Sequence, residues 1–247
     1  MKLTFLGTSH GVPAPDRHCS SMMLEVNGAV YVIDAGAPVI DCMLRQGVDL
    51  HRLRALFITH AHSDHTAGVL HLADLINWYY TDCSADLYLT DGEQIELLKR
   101  LIPVMDRRSP LDESRVRFRL TREGEVYADE NIRVEYIPTD HMGNGDPSYA
   151  ILVTAGEKKI LFSGDFSGSL RSADVPTILW ENETDAFVCE MAHFGAAQIA
   201  PYLEKAKTKR VYFNHVYPIS KYADIAAMAG KYPFAVLAPN DGDSFEI

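Results

Sequence analysis

Residues 55–65 read Ala55-Leu56-Phe57-Ile58-Thr59-His60-Ala61-His62-Ser63-Asp64-His65. The first five residues are a short apolar run of buried-strand character. They lead directly into four metal-capable side chains within six residues: His60, His62, Asp64 and His65. His60 and His62, two positions apart at a strand end, share a face. Asp64 and His65 lie past the turn and can reach a second ion beside the first. Neutral imidazole and carboxylate suit zinc, and also iron or manganese. With 10 histidines in 247 residues, three of them and an aspartate in one hexapeptide are improbable as a chance surface loop.

Downstream, Val69, Leu72, Ile76 and Tyr79 recur at helical spacing, so the motif reads as a strand-to-helix loop. Upstream, Lys2–Leu6 reads as a strand ending in the Gly7–Pro15 loop. Met22–Val26 and Val30–Ile33 flank Asn27-Gly28, a strong short-range hairpin signal. A helix is expected between Pro38 and Gln46, stopped by Gly47. A strand at Asp86–Thr90 and a helix near Gln94–Met105 complete the first half. The second half is expected to hold strands at Val116–Leu120, Ile132–Ile137, Tyr149–Val153, Ile160–Phe162 and Ala186–Cys189. Helices near Ile199–Lys207 and Ser220–Gly230 flank a strand at Val211–Asn214, and short strands at Ala235–Ala238 and Ser244–Glu246 follow. There is no tandem repeat, low-complexity stretch or long linker. The expectation is one α/β domain over residues 1–247, with two sheets and helices outside them.

Three more metal-capable residues sit just beyond apolar strands. His141 closes Pro138-Thr139-Asp140-His141, Asp165 closes Ser163-Gly164-Asp165, and His215 follows Val211–Asn214. Singly, each is an ordinary loop residue. Their shared placement makes them candidates, because sheet ends present side chains to a common cleft.

Composition narrows the partners. The chain carries 34 acidic against 23 basic residues, a formal −11, which disfavours extended nucleic-acid binding. Its most basic stretch holds Arg107, Arg108, Arg115, Arg117, Arg119 and Arg122. Arg115, Arg117 and Arg119 alternate with Val116, Phe118 and Leu120, the pattern of a half-exposed strand. The four cysteines show no Cys-x-x-Cys spacing, so neither a zinc ribbon nor a disulfide framework is expected, and a reduced, cytoplasmic setting fits. The first residues hold too short an apolar run for a signal peptide, and no segment approaches the roughly 20 apolar residues of a membrane span. Trp78, Tyr79 and Tyr80 fit either the core or the interface of a homodimer.

Taken together, these residues resemble the metallo-β-lactamase superfamily, whose signature is the His-x-His-x-Asp-His loop. The resemblance runs in order through Leu6-Gly7-Thr8-Ser9, Ile33-Asp34-Ala35-Gly36, the 60–65 motif, His141, Asp165, His215 and Asn240-Asp241-Gly242. It implies an αββα sandwich of two mixed sheets, and two divalent metal ions, zinc before manganese or iron. By the same resemblance His60, His62 and His141 hold the first ion, Asp64, His65 and His215 the second, and Asp165 bridges them. The bridging Asp is similar to the dinuclear hydrolase branches, and antibiotic hydrolysis is not expected.

Gly7-Thr8-Ser9-His10-Gly11-Val12-Pro13 through Arg17-His18-Cys19-Ser20-Ser21 is similar to the ribonuclease Z-like and phosphodiesterase branch. Two departures matter. The branch's Pro-x-Lys-x-Arg-Asn motif reads Pro13-Ala14-Pro15-Asp16-Arg17-His18, and its His-Glu-Ala-Thr segment reads Cys189-Glu190-Met191-Ala192, with a histidine only at His193. No basic tRNA-gripping arm is evident either. The expected activity is therefore cleavage of a small-molecule phosphodiester by a metal-bridging hydroxide. Asp64 would ligate a metal and orient the nucleophile, and His193, oriented by Glu190, would be the leaving-group acid. His18 and His10 are expected to touch substrate. The alternatives are an ester, thioester or lactone hydrolase with the same site, a tRNA 3′-end endonuclease, and a non-catalytic metal-binding sensor module.

Overall fold

The computed structural model describes residues 1–105, 110–143, 145–171 and 174–247. Asn27 and Gly28 both take positive φ, 50° and 87°, as a two-residue hairpin turn twisted to match its strands requires. They join β2 (Ser21–Val26) to β3 (Ala29–Ile33), with Val26 opposite Ala29. β1 (Lys2–Gly7) pairs antiparallel with β2. Side chains then divide by the period of two. Met22, Leu24, Val26, Tyr31 and Ile33 face one core, while Met23, Val30 and Val32 face another.

From β3 onward pairing turns parallel: β4 (Leu53–Phe57), β5 (Ala85–Leu89) and β6 (Val116–Leu120) add in turn. Parallel neighbours need a crossover. α1 (Val39–Arg45), α2 (Ser63–Trp78) and α3 (Gly92–Met105) supply one each. The second sheet repeats the plan. β7 (Gly124–Ala128), β8 (Arg133–Thr139), β9 (Ser148–Ala155) and β10 (Lys158–Phe162) are antiparallel. β11 (Ala186–Met191), β12 (Arg210–Val216) and β13 (Ala235–Leu237) continue in parallel. Their crossovers carry α4 (Ile178–Glu181), α5 (Ala196–Leu203) and α6 (Lys221–Met228). β14 (Ser244–Glu246) returns to the far side of β1.

The sheets run β14-β1-β2-β3-β4-β5-β6 and β13-β12-β11-β10-β9-β8-β7. Phe5, Tyr31 and Phe57 of the first meet Tyr136, Phe162 and Tyr212 of the second in the central core, and each outer face is covered by its own helices. This is the α/β, four-layer αββα arrangement.

Boundaries differ from the sequence reading where the site is built. α2 starts at Ser63, so Asp64 and His65 occupy its first turn rather than a loop. β12 does not stop at Asn214 but continues through His215 to Val216. α5 lies earlier than expected, its start closed by the Gln198 side chain accepting the Gly195 amide. β7 and the four-residue α4 were not anticipated: β7 is an edge strand with little apolar signal, and α4 is too short to show a period.

Arg115 and the two arginines of β6 are committed to structure. Arg117 makes a two-pronged contact with Asp86 at 2.9 Å, Arg119 reaches the same carboxylate at 3.1 Å, and Arg115 bonds Asp112 at 2.9 Å. Arg107 and Arg108 lie outside the described residues. Trp78 and Tyr79 are exposed, whereas Tyr80 packs against the helix-covered core. The four cysteines are free thiols, and no described helix is long and apolar enough to cross a membrane.

Candidate metal centre

The residues of interest converge where β4, β8, β10, β11 and β12 end. His60 follows β4, and His62 sits immediately before the first turn of α2, which carries Asp64 and His65. An acidic side chain there is favoured by the unpaired amides of a helix start. His141 follows β8, and Asp165 follows β10 after Gly164. Gly164 has φ 58°, and a Cβ there would stand 2.5 Å from the Tyr149 carbonyl oxygen, so glycine is needed to swing Asp165 inward.

His215 arrives by a different device. Glu190 pairs with Asn214 and Met191 with Val216, which leaves His215 as an unpaired extra residue in β12 with φ 52°. Such a bulge re-aims a side chain out of the ladder. Here it turns the imidazole into the centre.

Asp165 is the hub. Its Oδ2 lies 3.5 Å from His65 Nε2, 3.6 Å from His215 Nε2, 3.7 Å from His141 Nε2, 3.8 Å from His60 Nε2 and 3.8 Å from His193 Nδ1. Its Oδ1 is buried without a hydrogen-bond partner. Around it, two sets of donors separate. His62 Nδ1 lies 3.0 Å from His60 Nε2 and 3.2 Å from His141 Nε2. His215 Nε2 lies 3.2 Å from His65 Nε2 and 3.1 Å from Asp64 Oδ2.

The surrounding shell decides which ring nitrogens face inward. Asp34 Oδ2 can only accept, so His65 Nδ1, at 2.8 Å, is N–H. The Phe166 carbonyl likewise takes His141 Nδ1–H at 3.0 Å. The Thr59 hydroxyl donates to Asp34, so its lone pair accepts His60 Nδ1–H at 3.1 Å. Each of these rings therefore turns Nε2 toward the centre, the tautomer that metal ligation needs.

Buried charges in the centre shift one another strongly. Burial alone would lift the Asp64 carboxyl, but the hydrogen bond from His215 and the charges of His65 and His215 hold it well below the usual carboxylate range. Burial should likewise lower His65, yet Asp165 and Asp34 raise it well above an ordinary imidazole. Burial drives His60 well below that value, with the His65 charge adding to the effect. The centre thus combines clustered inward-facing nitrogens with the carboxylates of Asp64 and Asp165, and its donor set fits divalent cations. His60, His62 and His141 could hold one ion, and Asp64, His65 and His215 another.

His193 joins this centre. Glu190, 2 % exposed, accepts His193 Nδ1 at 2.9 Å, the His193 amide at 3.1 Å, the Ala192 amide at 2.7 Å and the Phe166 amide at 2.9 Å. Burial would lower the His193 imidazole, but the Glu190 hydrogen bond and the charges of Glu190 and Asp165 raise it. His10 also lies at the rim, stacked on Tyr217 at 4.6 Å and 5.0 Å from the His215 ring. Burial lowers its imidazole, assisted by His215.

His18 is placed elsewhere. Its amide donates to Asp241 at 2.6 Å, and it lines a separate cavity of about 200 Å³ with Cys42, Arg45 and Gln46. Asp34 and Thr59 are the functional positions that motif reasoning left without a role. Asp34 was visible only as part of Ile33-Asp34-Ala35-Gly36, and nothing in a linear reading links it to residue 65.

Comparison with known proteins places this geometry in context. The family model described as "Anti-Pycsar protein Apyc1" matches residues 1–220. Ribonuclease Z of Shouchella clausii is 31 % identical over 145 residues, covering 57 % of this chain and 45 % of that protein. Ribonuclease Z of Synechococcus sp. is 33 % identical over 153 residues, covering 61 % and 48 %. The chain thus spans about half the length of these curated relatives. Among solved structures, the metallo-β-lactamase fold protein YhfI of Bacillus subtilis superimposes with TM-score 0.79 at 17 % identity, covering 100 % of this chain and 99 % of that one. The short form of human tRNase Z gives 0.74 at 19 %, covering 100 % and 99 %. A diphosphatase of the PhnP family gives 0.70 at 18 %, covering 100 % and 97 %. The fold is the metallo-β-lactamase fold.

Proposed function

The chain belongs to the anti-Pycsar Apyc1 family, and from that premise and the geometry of its centre we propose that it is a dinuclear metal-dependent phosphodiesterase acting on a small phosphodiester. The observation that carries the proposal is Asp165 Oδ2 within 3.5–3.8 Å of five imidazole nitrogens, with a buried, unpartnered Oδ1 beside it. In this reading His60, His62 and His141 would hold one cation and Asp64, His65 and His215 a second, with the Asp165 carboxylate available to both. The cations, zinc by this donor set, would acidify water and neutralise charge growing on the phosphoryl oxygens.

The chain's own groups do the rest. Asp34 and Thr59 lock the rings of His65 and His60, so the donors need no reorganisation when charge develops. Asp64, hydrogen-bonded to His215 and partly open to the cleft, orients the attacking water. His193 gives Nδ1–H to Glu190, which leaves Nε2 as the free end of the ring and favours the protonated form that a departing alcohol needs. His10, whose Nδ1 accepts the Val12 amide at 3.0 Å, presents its Nε2–H at the rim for a substrate oxygen. Beside it, Val12, Pro13, Tyr217 and Ile219 line a pocket of about 150 Å³. That volume suits one apolar or aromatic substituent rather than an RNA arm. The altered Pro13–His18 segment and the ion-paired β6 arginines favour the same choice over a tRNA substrate.

The test is a metal count combined with a substrate panel. Purified protein is expected to hold two transition-metal equivalents and to cleave bis(p-nitrophenyl) phosphate and a cyclic mononucleotide faster than a 3′-extended tRNA, a thioester or a lactone. Loaded protein that turns over only the carbonyl substrates, or prefers the tRNA, would overturn it.

A further inference from the structure

At the opposite end of β4 from His60 lies a second group of donor atoms. His51 sits in the short turn Leu50–Arg52 that precedes β4, and Asp82 and Cys83 precede β5. Donor atoms of these three residues fall within 4.8 Å of one another. Asp49 Oδ1 accepts both the His51 amide at 3.0 Å and Nδ1 at 2.6 Å. The ring is thereby held from behind, and its Nε2 points at Asp82 Oδ1, 3.0 Å away.

An imidazolium bridging two surface carboxylates would account for His51, Asp49 and Asp82. It does not involve Cys83, which is buried at the edge of the helix-covered core beside them. The Sγ atoms of Cys19, Cys42 and Cys189 each reach a backbone carbonyl, at 3.6, 3.8 and 3.3 Å. Cys83, only 5 % exposed, has a sulfur with no hydrogen-bond partner among the described residues, and it lies against the His51–Asp82 pair. Burial and the charges of Asp82 and Asp49 push its thiol up to about 11. A cation bound there would reverse that effect.

We propose that His51, Asp82 and Cys83 form an independent site for a thiophilic divalent cation, zinc by ligand type, with Asp49 orienting the imidazole. One nitrogen, one carboxylate oxygen and one thiolate leave the fourth tetrahedral position to water. Binding releases to solvent the proton on Cys83 Sγ and any proton on His51 Nε2. The ion would tie the turn before β4 to the loop before β5, acting as a clip on two parallel strands far from the centre around Asp165.

The experiment uses the full chain titrated with Co²⁺, in parallel with Zn²⁺ alone followed by metal analysis. Wild-type protein is expected to take one equivalent beyond the main centre, with thiolate-to-cobalt charge-transfer absorption. Cys83→Ser should lose both that equivalent and that band, while hydrolysis is unchanged. His51→Gln, at a side chain 45 % exposed and so safe for folding, should lose the same equivalent with Cys83 intact. Cys19→Ser controls for the cysteine nearer the main centre and should keep the band. No additional equivalent in wild-type protein, or a band that survives Cys83→Ser, would overturn the site. A His62→Ala background, in which the main centre is disabled, should show the same Cys83-dependent band, so the outcome does not depend on the phosphodiesterase reading.

Discussion

Asp34 and His65, 31 positions apart and each 1 % exposed, are joined by a 2.8 Å contact in which the carboxylate accepts Nδ1–H. The same carboxylate takes the Thr59 amide at 2.8 Å and the Thr59 hydroxyl at 3.0 Å, and through that hydroxyl it also sets the His60 ring. One buried acid thus holds a ligand of each proposed metal position.

Asp34→Asn should therefore weaken metal retention while leaving the backbone intact. Asn tolerates the left-handed conformation that Asp34 adopts, φ 57°, so folding is not the issue. Loss of such an orienting partner costs about 10–100-fold in metal affinity. Chelator competition reads that change directly, and an unaltered affinity would contradict the orienting role.

His193→Ala should slow the reaction according to the leaving group. For a diester that releases a simple alcohol, losing the acid should cost about 10²–10⁴-fold in kcat. For one that releases p-nitrophenolate, which needs no proton, the cost should be small. Glu190→Gln should move the same way by a lesser amount. Equal losses on both diesters would remove His193 from the proton-transfer step.

Gly164→Ala tests the turn that delivers Asp165. A Cβ there faces both a left-handed φ and the Tyr149 carbonyl 2.5 Å away. The combined strain and overpacking should cost about 2–4 kcal/mol. For a chain of this size that lowers Tm by roughly 5–15 °C. Calorimetry checks the shift, and a Tm within a degree of wild type would show that the turn relaxes freely.

Asp86 gives a pH signature remote from the centre around Asp165. Burial would raise its carboxyl, but the hydrogen bonds and charges of Arg117 and then Arg119 bring it below the ordinary carboxylate value. A depressed folded-state pKa stabilises the protein above the unfolded pKa, and that stability disappears as pH falls through the folded value. The gap in unfolding free energy between wild type and Asp86→Asn should be roughly 1–2 kcal/mol at neutral pH. It should begin to close below about pH 4. Paired urea melts at several pH values measure it, and a gap that widened on acidification would reverse the assignment.

Much of this protein was legible in one dimension because the signals are local. Asn27-Gly28 dictates a turn by its own torsions. The 60–65 motif holds its donors within six residues, so strand and helix periods alone put them on one rim. His141 and Asp165 were found because each follows an apolar strand. Other features depend on neighbours that only the folded chain supplies. His10 and His18 are equally plausible in sequence, yet His10 stacks on Tyr217 beside the centre and His18 faces another cavity.

From periodicity and spacing the sequence determined an α/β chain of two sheets with helices outside and a set of candidate donors, while the αββα arrangement was what the family resemblance implied. The tertiary structure alone decided which ring nitrogens face inward, that His215 enters from a bulge in β12, and that Asp34 is the acid behind His65. The reason is physical. Hydrogen-bond partners and strand register are set by contacts between distant segments, and these exist only once two sheets have packed together.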